Sequence, residues 1–255
     1  MVVAAPPRRF VSRGGEKLAH ALAAFDVDPR GRRCLDAGVS TGGFTDCLLQ
    51  HGAAFVAAYD VGYGQVHDSV RTDPRVAVHE RTNVRSLTAA DLDAPAPDLL
   101  VADLSFISLA SVLPTLRAVL APTAEAVVLV KPQFEADRGD VGKGGVVRDP
   151  AVWRAALGRV AASAATVGWE VVGATVSPLR GPAGNVEFLL HLADGRPAAD
   201  TSTTTETVDV LLDRAVEQGE ALRRGEPPAT APADGTATDP EPVGGRDPGT
   251  RSTST

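Results

Sequence analysis

The chain has 255 residues, of which 44% are hydrophobic and 22% are charged, and this is enough apolar content for one sizeable globular core. It contains neither an apolar run long enough to cross a membrane nor a basic and apolar leader, so we expect an unsecreted, cytoplasmic protein with no membrane partner. Residues 1–192 carry 19 Lys and Arg against 20 Asp and Glu, whereas residues 193–255 carry 6 against 12. The net charge of -7 therefore belongs mainly to the tail, and it does not exclude a nucleic-acid partner, which needs only a local basic face.

The amino-terminal part has the pattern of an arm followed by a helix. Residues 1–11 hold a Pro pair and an Arg pair and are predicted to be the remnant of a linker. Leu18, Leu22 and Phe25 then recur at helical spacing, and Ser12 is a candidate N-cap. Because Pro29 cannot continue a helix, we expect this helix to end by about residue 26.

Residues 33–45 have the pattern of a short apolar strand, a glycine-rich turn and the start of a helix. Glycine can adopt positive φ and approach a ligand closely, and the G-x-x-x-G-G spacing matches neither a Walker loop nor a dinucleotide fingerprint. Asp36 precedes the first glycine, where a carboxylate suits a cationic amino group. The combination suits S-adenosylmethionine, which carries an ammonium and a sulfonium but no phosphate, although an ordinary turn that binds nothing is the alternative. Two threonines, Thr41 and Thr45, are candidate helix caps.

The next strands carry further polar candidates. A strand over 53–60 ends at Asp60, which lies 17 residues beyond Gly43. An acidic residue at this point holds ribose hydroxyls in Rossmann-like folds. A third strand over 75–79 is followed by Asn83, whose carboxamide could reach an adenine or ribose edge.

Two apolar runs typical of buried parallel strands end in charged side chains. The run over 99–103 ends at Asp103, and the run over 126–130 is followed by Lys131 and Pro132. A predicted helix over 109–120 separates them. Because the carboxyl ends of parallel strands share one edge of a sheet, we expect Asp36, Asp103 and Lys131 to lie together.

The glycine-rich segment 137–149 also contains Arg138, Lys143 and Arg148. It is either a flexible surface loop or a lid or RNA-contacting loop, and the sequence does not separate these interpretations. An amphipathic helix over 153–167 and strands over 169–176 and 186–192 follow, with Glu187 second in the last strand.

Strands that alternate with helices predict a doubly wound α/β sheet with ligands beyond the carboxyl ends of the strands. After residue 193 the composition shifts to Thr, Ala, Pro, Gly, Glu and Asp, so 194–255 is predicted to be an acidic, largely disordered tail with one short helix near 208–215. Cys34 and Cys47 form no metal-ligand or disulfide pattern, so we expect two buried thiols and no metal.

Lysine is scarce in this chain, since 22 of the 25 basic residues are Arg. A lysine can release its proton when its pKa is shifted, whereas an arginine effectively cannot, so Lys17 and Lys131 are candidates for proton chemistry. Together with Asp103 and Glu187 they could form a Lys-Asp-Lys-Glu site. The alternative is a network of ion pairs that ties the first helix to the sheet.

Six motifs together resemble the TlyA-type (haemolysin A-like) rRNA methyltransferase family. In chain order they are FVSRGGEKL at 10–18, LDAGVSTGGFTD at 35–46, YDVGYGQ at 59–65, DLSFISL at 103–109, LVKPQFE at 129–135 and GNVEF at 184–188. The resemblance implies a Rossmann-like, S-adenosylmethionine-dependent methyltransferase fold, with a mostly parallel seven-stranded sheet and helices on both faces. It also implies methylation of a ribose 2′-hydroxyl on cytidines of small- and large-subunit rRNA, with ribosomal subunits as partners.

The resemblance also implies roles for individual residues of an FtsJ-like domain over 12–193. The residues that match the catalytic tetrad are Lys17, Asp103, Lys131 and Glu187. Those that match the cofactor site are Asp36, Gly38, Ser40, Thr41, Gly42, Gly43, Phe44, Asp60, Asn83 and Asp103.

The chain departs from the family at its amino end, where members usually carry an S4-type RNA-binding domain. This sequence starts close to that junction, so we expect the module to be missing or the sequence to be truncated. The competing hypotheses are therefore a methyltransferase on another substrate, a cofactor-binding but catalytically weak protein, and a cytolytic protein of the kind that the haemolysin name suggests.

Overall fold

The computed structural model describes residues 9–92, 95–194 and 206–226. Its strands are β1 (Arg33–Ala37), β2 (Phe55–Tyr59), β3 (Val76–His79), β4 (Leu99–Ala102), β5 (Glu125–Val130), β6 (Trp169–Val176) and β7 (Phe188–Asp194). Its helices are α1 (Arg13–Phe25), α2 (Gly43–Gln50), α3 (Asp68–Arg71), α4 (Leu113–Ala118), α5 (Pro132–Glu135), α6 (Pro150–Ala165) and α7 (Val208–Arg224).

The strands form one seven-stranded sheet in the order β3-β2-β1-β4-β5-β7-β6. Strands β1 to β5 are mutually parallel, whereas β7 runs antiparallel to both of its neighbours. The predicted mostly parallel α/β fold is therefore confirmed.

The central strands are apolar throughout because both faces of the sheet are covered. In β4, Leu100 and Ala102 point into a core shared with α4, α6 and α7, whereas Leu99 and Val101 point into a second core shared with α1 and α2. Alternate residues of a strand thus bury against different helix layers.

The predicted helix ends are partly confirmed. Ser12 caps α1, since its side chain accepts a hydrogen bond from the Gly14 N–H. Helix α6 begins three residues before its predicted start because Asp149 caps it and Pro150 fits its first turn. The prediction that Thr41 or Thr45 caps α2 is wrong, because the N-cap is Gly42, in a left-handed conformation.

Two more boundaries differ from the predictions. The predicted helix over 109–120 is reduced to α4, since residues 105–111 form turns held by hydrogen bonds to Glu135. Glu187 directly precedes β7 instead of lying within it.

Helix α7 extends the folded part of the chain beyond residue 193, the boundary drawn from the sequence. Its apolar face buries Leu212, Ala215 and Val216, and its polar face pairs with Arg154 of α6. The domain boundary at 193 therefore omits a helix that packs on the sheet. The predicted disorder of residues after 226 concerns residues outside those that the structure describes.

The parallel strands end at one edge of the sheet, and this edge collects the polar candidates. Gly38, Asp60, Asp103 and Lys131 each directly follow a strand. Within the described residues, no helix is long and apolar enough to span a membrane.

Candidate active site

Two adjoining cavities open at the carboxyl edge of the parallel strands. The larger has a volume of about 500 Å³ and the smaller about 270 Å³. Four residues line both cavities and mark where they meet: Gly38, Ser40, Asp103 and Ser105.

The smaller cavity contains the four residues of the predicted Lys-Asp-Lys-Glu site, which we call the tetrad. Lys17 forms an ion pair with Glu187 although 170 residues separate them, and their side chains are only 9% and 1% exposed. Lys131 Nζ lies 2.6 Å from Asp103 Oδ1 and 2.8 Å from Ser105 Oγ. Two lysine side chains are thus each held by a carboxylate in one cavity.

Two positions of the 33–45 stretch require glycine, because other parts of the chain lie too close to leave room for a Cβ atom. Gly38 has a φ of 95°, and a Cβ there would lie 2.7 Å from the carbonyl oxygen of Asp103. A Cβ on Gly43 would lie 2.2 Å from Ser12 Oγ. The stretch is therefore wedged between the end of β4 and the start of α1, which brings Lys17 and Asp103 to the same place.

The larger cavity has apolar walls and a few polar groups. Its lining includes Tyr59, Leu104 and Ile107 together with Asp60 and Asn83. Asp60 accepts hydrogen bonds from the Ser40 and Gly62 N–H groups, so its carboxylate joins two loops of the cavity. Asn83 Oδ1 accepts from the Arg85 N–H, which leaves the amide nitrogen for a ligand.

The other residues predicted to bind the cofactor are divided between the two cavities and the interior. Thr41, Gly43 and Phe44 line the smaller cavity, beside the tetrad, whereas Gly42 lines neither cavity. A Cβ on Gly42 would lie 3.1 Å from the Val70 side chain.

Asp36 also lines neither cavity. Its side chain is completely buried, and Thr45 Oγ1 donates to Asp36 Oδ2 at 2.6 Å. Burial raises the pKa of this carboxyl to about 7, against the opposing effect of the Thr45 hydrogen bond. The second oxygen, Oδ1, is buried without a hydrogen-bond partner among the described residues. Direct contact with a cationic amino group therefore stays a prediction, while the observed contact ties β1 to α2.

Sequence reasoning assigned no role to several residues that the structure places at the site. Ser105 bridges the two cavities and contacts Lys131, and Phe106 is 92% exposed beside them with a φ of 64°. Glu135 lines neither cavity, but it is buried and accepts hydrogen bonds from Ser108 Oγ and the Leu109 N–H in the loop that follows Ser105 and Phe106. Ser105 and Phe106 belong to the motif DLSFISL and Glu135 to LVKPQFE, so the two motifs could have pointed to these residues as well as to Asp103 and Lys131.

The comparisons with known proteins show the family and the fold. Residues 10–194 match the model of the FtsJ-like methyltransferase family. The chain belongs to the FtsJ-like methyltransferase family. The match ends with β7, so it includes both cavities and the complete tetrad.

Two similar proteins place the chain within this family. It is 51% identical over 218 residues to the 16S/23S rRNA (cytidine-2′-O)-methyltransferase TlyA of Mycobacterium tuberculosis, covering 86% of this chain and 80% of that protein. The solved structure of a hemolysin-type protein from Streptococcus thermophilus superposes with a TM-score of 0.78 at 39% identity, covering 86% of this chain and 77% of that one.

A more distant structure shares the fold alone. A protein described as an S-adenosylmethionine-dependent methyltransferase from Listeria monocytogenes superposes with a TM-score of 0.52 at 14% identity, covering 72% of this chain and 100% of that one. The FtsJ-like chain thus has the Rossmann-like methyltransferase architecture that its motifs predicted. The described residues contain no cluster of His, Cys, Asp or Glu suited to a metal ion.

Proposed function

We propose that this chain transfers a methyl group from S-adenosylmethionine to the 2′-hydroxyl of a cytidine ribose in ribosomal RNA. The observation that carries the proposal is the pair of lysine–carboxylate contacts in the smaller cavity, which adjoins the larger one at Asp103. The printed activity of the Mycobacterium tuberculosis relative supports the choice of nucleotide and of 16S and 23S rRNA. Such a substrate would place the protein with ribosomal subunits in the cytoplasm.

The larger cavity fits the proposed methyl donor. Its volume of about 500 Å³ lies within the range of small-ligand sites. Gly38 and Ser40 would hold the methionine part near the tetrad, while Asp60 and Asn83 would hold the ribose and adenine. Asp36 Oδ1 is buried without a hydrogen-bond partner among the described residues, so it would be an acceptor for the ammonium group only if the ligand reached past the cavity lining. When bound, the donor supplies an electrophilic methyl group on a sulfonium.

The tetrad would act on the ribose hydroxyl. A hydroxyl is a weak nucleophile, so Lys131, acting as the neutral amine, would bind the 2′-oxygen and accept its proton as the oxygen attacks. Asp103 and Ser105 hold Lys131 Nζ at the mouth between the cavities. The Lys17–Glu187 pair, which lines the same cavity, would help to fix the ribose. Much of the remaining acceleration would come from aligning the hydroxyl with the methyl group.

The surface around the cavities suits RNA. The exposed Phe106 ring offers a stacking face for a base, and its centroid lies 5.4 Å from that of Phe134. Arg13 lines the smaller cavity and Arg85 the larger, so both arginines stand where a phosphate could approach. No feature of the described residues favours a pore-forming alternative.

The proposal is tested with purified ribosomal subunits that lack 2′-O-methylcytidine, incubated with the full chain and S-adenosylmethionine labelled on the methyl group. Nuclease digestion and nucleoside chromatography identify the labelled product. We expect 2′-O-methylcytidine from 16S or 23S rRNA. A label on a base, or tight cofactor binding without transfer to either subunit, would contradict the proposal, and the latter would favour a catalytically weak binding protein.

A further inference from the structure

Asn185 stands out as a buried polar residue that the proposed chemistry does not use. It is 2% exposed and lies two residues before Glu187. Its Oδ1 accepts a hydrogen bond from the Val147 N–H at 2.9 Å, and its Nδ2 donates to the Gly145 carbonyl at 2.8 Å. Both ends of one carboxamide are thus committed to the backbone of a loop about 40 residues away.

The same residue organises the turn that leads into Glu187. The Asn185 carbonyl accepts the Gly181 N–H at 2.9 Å, and the Gly181 carbonyl accepts the Gly184 N–H. A Cβ on Gly181 would lie 2.6 Å from Glu187 Oε1, so this turn packs directly on the carboxylate that pairs with Lys17. Any displacement of the turn would therefore displace the Glu187 side chain.

The loop on the other side is itself anchored. The Val147 side chain is 2% exposed, and its carbonyl accepts a hydrogen bond from Trp153 Nε1 at 3.1 Å. The Trp153 ring contacts that of Phe188, which directly follows Glu187. The end of segment 137–149 is thus a fixed support between α6 and the 181–187 turn, although its tip is exposed.

We propose that Asn185 is a positioning residue that places Glu187 against Lys17 by joining the 181–187 turn to the backbone of residues 145–147. The role rests on the proposed function of the tetrad. It requires a carboxamide, because one atom must accept from an N–H while the other donates to a carbonyl. An aspartate keeps the acceptor but sets an oxygen against the Gly145 carbonyl, and an alanine removes both bonds.

The first test compares Asn185→Asp and Asn185→Ala with the unmodified full chain in methyl transfer to ribosomal subunits. We expect kcat to fall roughly 10- to 100-fold, as when a reacting group is misplaced by about 1 Å, with KM for S-adenosylmethionine nearly unchanged. Ser163→Ala is the matched control, because it also removes a side-chain hydrogen bond to a loop carbonyl, that of Ala110, which belongs neither to the 181–187 turn nor to residues 145–147. Unchanged kcat in both Asn185 variants would overturn the proposal.

The second test separates positioning from general damage. In a Glu187→Gln background, adding Asn185→Asp should cause little further loss, because the residue through which Asn185 acts is already impaired. An equal loss in both backgrounds would overturn the proposal.

A third readout does not depend on activity. Hydrogen exchange should accelerate at residues 145–147 and 181–187 in the Asn185 variants while α1 and α2 stay protected. Unchanged exchange in the turn would overturn the positioning role. If the unmodified chain transferred no methyl group to subunits, the proposed function would fail. The hydrogen-exchange rates would still show whether Asn185 holds the 181–187 turn against residues 145–147.

Discussion

The Lys17–Glu187 pair is the least exposed ion pair of the tetrad. Taking both charges out of water costs free energy that the attraction between them only partly returns, so such a pair is a poor way to stabilise a fold. An apolar pair of similar volume would serve the packing of α1 against the residues that precede β7 at least as well. The arrangement is better explained by the chemistry of the cavity that these side chains line.

Ser105 is expected to contribute to catalysis through Lys131. Ser105→Ala removes one of the two groups that hold Lys131 Nζ, and a hydrogen bond to a charged group is worth enough to lower kcat by about tenfold. Steady-state methyl-transfer kinetics measure the effect. Ser111→Ala is the control, because its hydroxyl only donates to the Ser108 carbonyl in the same loop. Equal rates for the two variants would contradict the role of Ser105.

Asp36 is expected to make stability fall as the pH rises. Because burial raises its folded-state pKa from 3.8 to about 7, the folded state binds the proton more tightly, and the stability loss grows between these values and is complete above about pH 7. Asp36→Asn keeps the bond from Thr45 but carries no charge. Without cofactor, we expect it to exceed the unmodified chain by about 2–4 kcal/mol in unfolding free energy at about pH 8 and by much less at about pH 5. Urea unfolding at both pH values measures this, and a pH-independent difference would contradict it.

The residue-level predictions succeeded where the strand pattern alone decides the outcome. Asp103 and Lys131 follow uninterrupted apolar runs, so their place at the carboxyl edge could be read from the sequence. The sequence does not show which face of the sheet a side chain within a strand points to. The burial of Asp36, which lies within β1, could therefore not be predicted. The partners of Asn185 could not be found, because that contact depends on how two loops pack.

At the scale of elements, α7 is the largest difference from the sequence-based expectation. The short helix predicted near 208–215 extends to Arg224, and its acidic and Thr-rich surroundings concealed that its buried positions, which recur over about two turns, dock it on the sheet. Helix α7 packs against both sequence neighbours of Glu187, since a Cβ on Gly219 would lie 3.0 Å from Phe188 and 3.2 Å from Val186. Arg180, near the same turn, also donates to the Leu222 carbonyl of α7. Composition marks the average character of a segment, whereas a few apolar residues are enough to dock a helix.

The contact between α7 and β7 leads to a stability prediction. Gly219→Leu inserts a side chain against Phe188 and Val186 and should lower the free energy of unfolding by about 1–3 kcal/mol. Gly158→Leu is the matched control, because a Cβ there meets only the end of the Arg154 side chain at 3.5 Å. Thermal unfolding distinguishes them, and equal melting temperatures would show that α7 does not pack against β7.

At the scale of the whole molecule, the fold brings one cofactor-sized cavity and one charged cavity to the same edge of the sheet. Strands β1, β2, β4 and β5 are parallel, so their carboxyl ends lie at the same edge of the sheet. Strand β7 is antiparallel to β5 and therefore begins at that edge, so Glu187, which directly precedes β7, lies there too. Helix α1, which precedes the sheet in the sequence, completes the site through Lys17. The site therefore depends on contacts between the two ends of the FtsJ-like domain, which no local sequence window contains.

The most direct test of this account is the rate of methyl transfer to ribosomal subunits by Lys131→Ala, measured beside its affinity for S-adenosylmethionine. Because Lys131 is proposed to take the proton from the ribose hydroxyl, we expect the rate to fall by about 100-fold or more. The affinity should stay close to that of the unmodified chain, since Lys131 does not line the larger cavity. A variant that binds the cofactor normally and methylates rRNA at the unmodified rate would contradict the account.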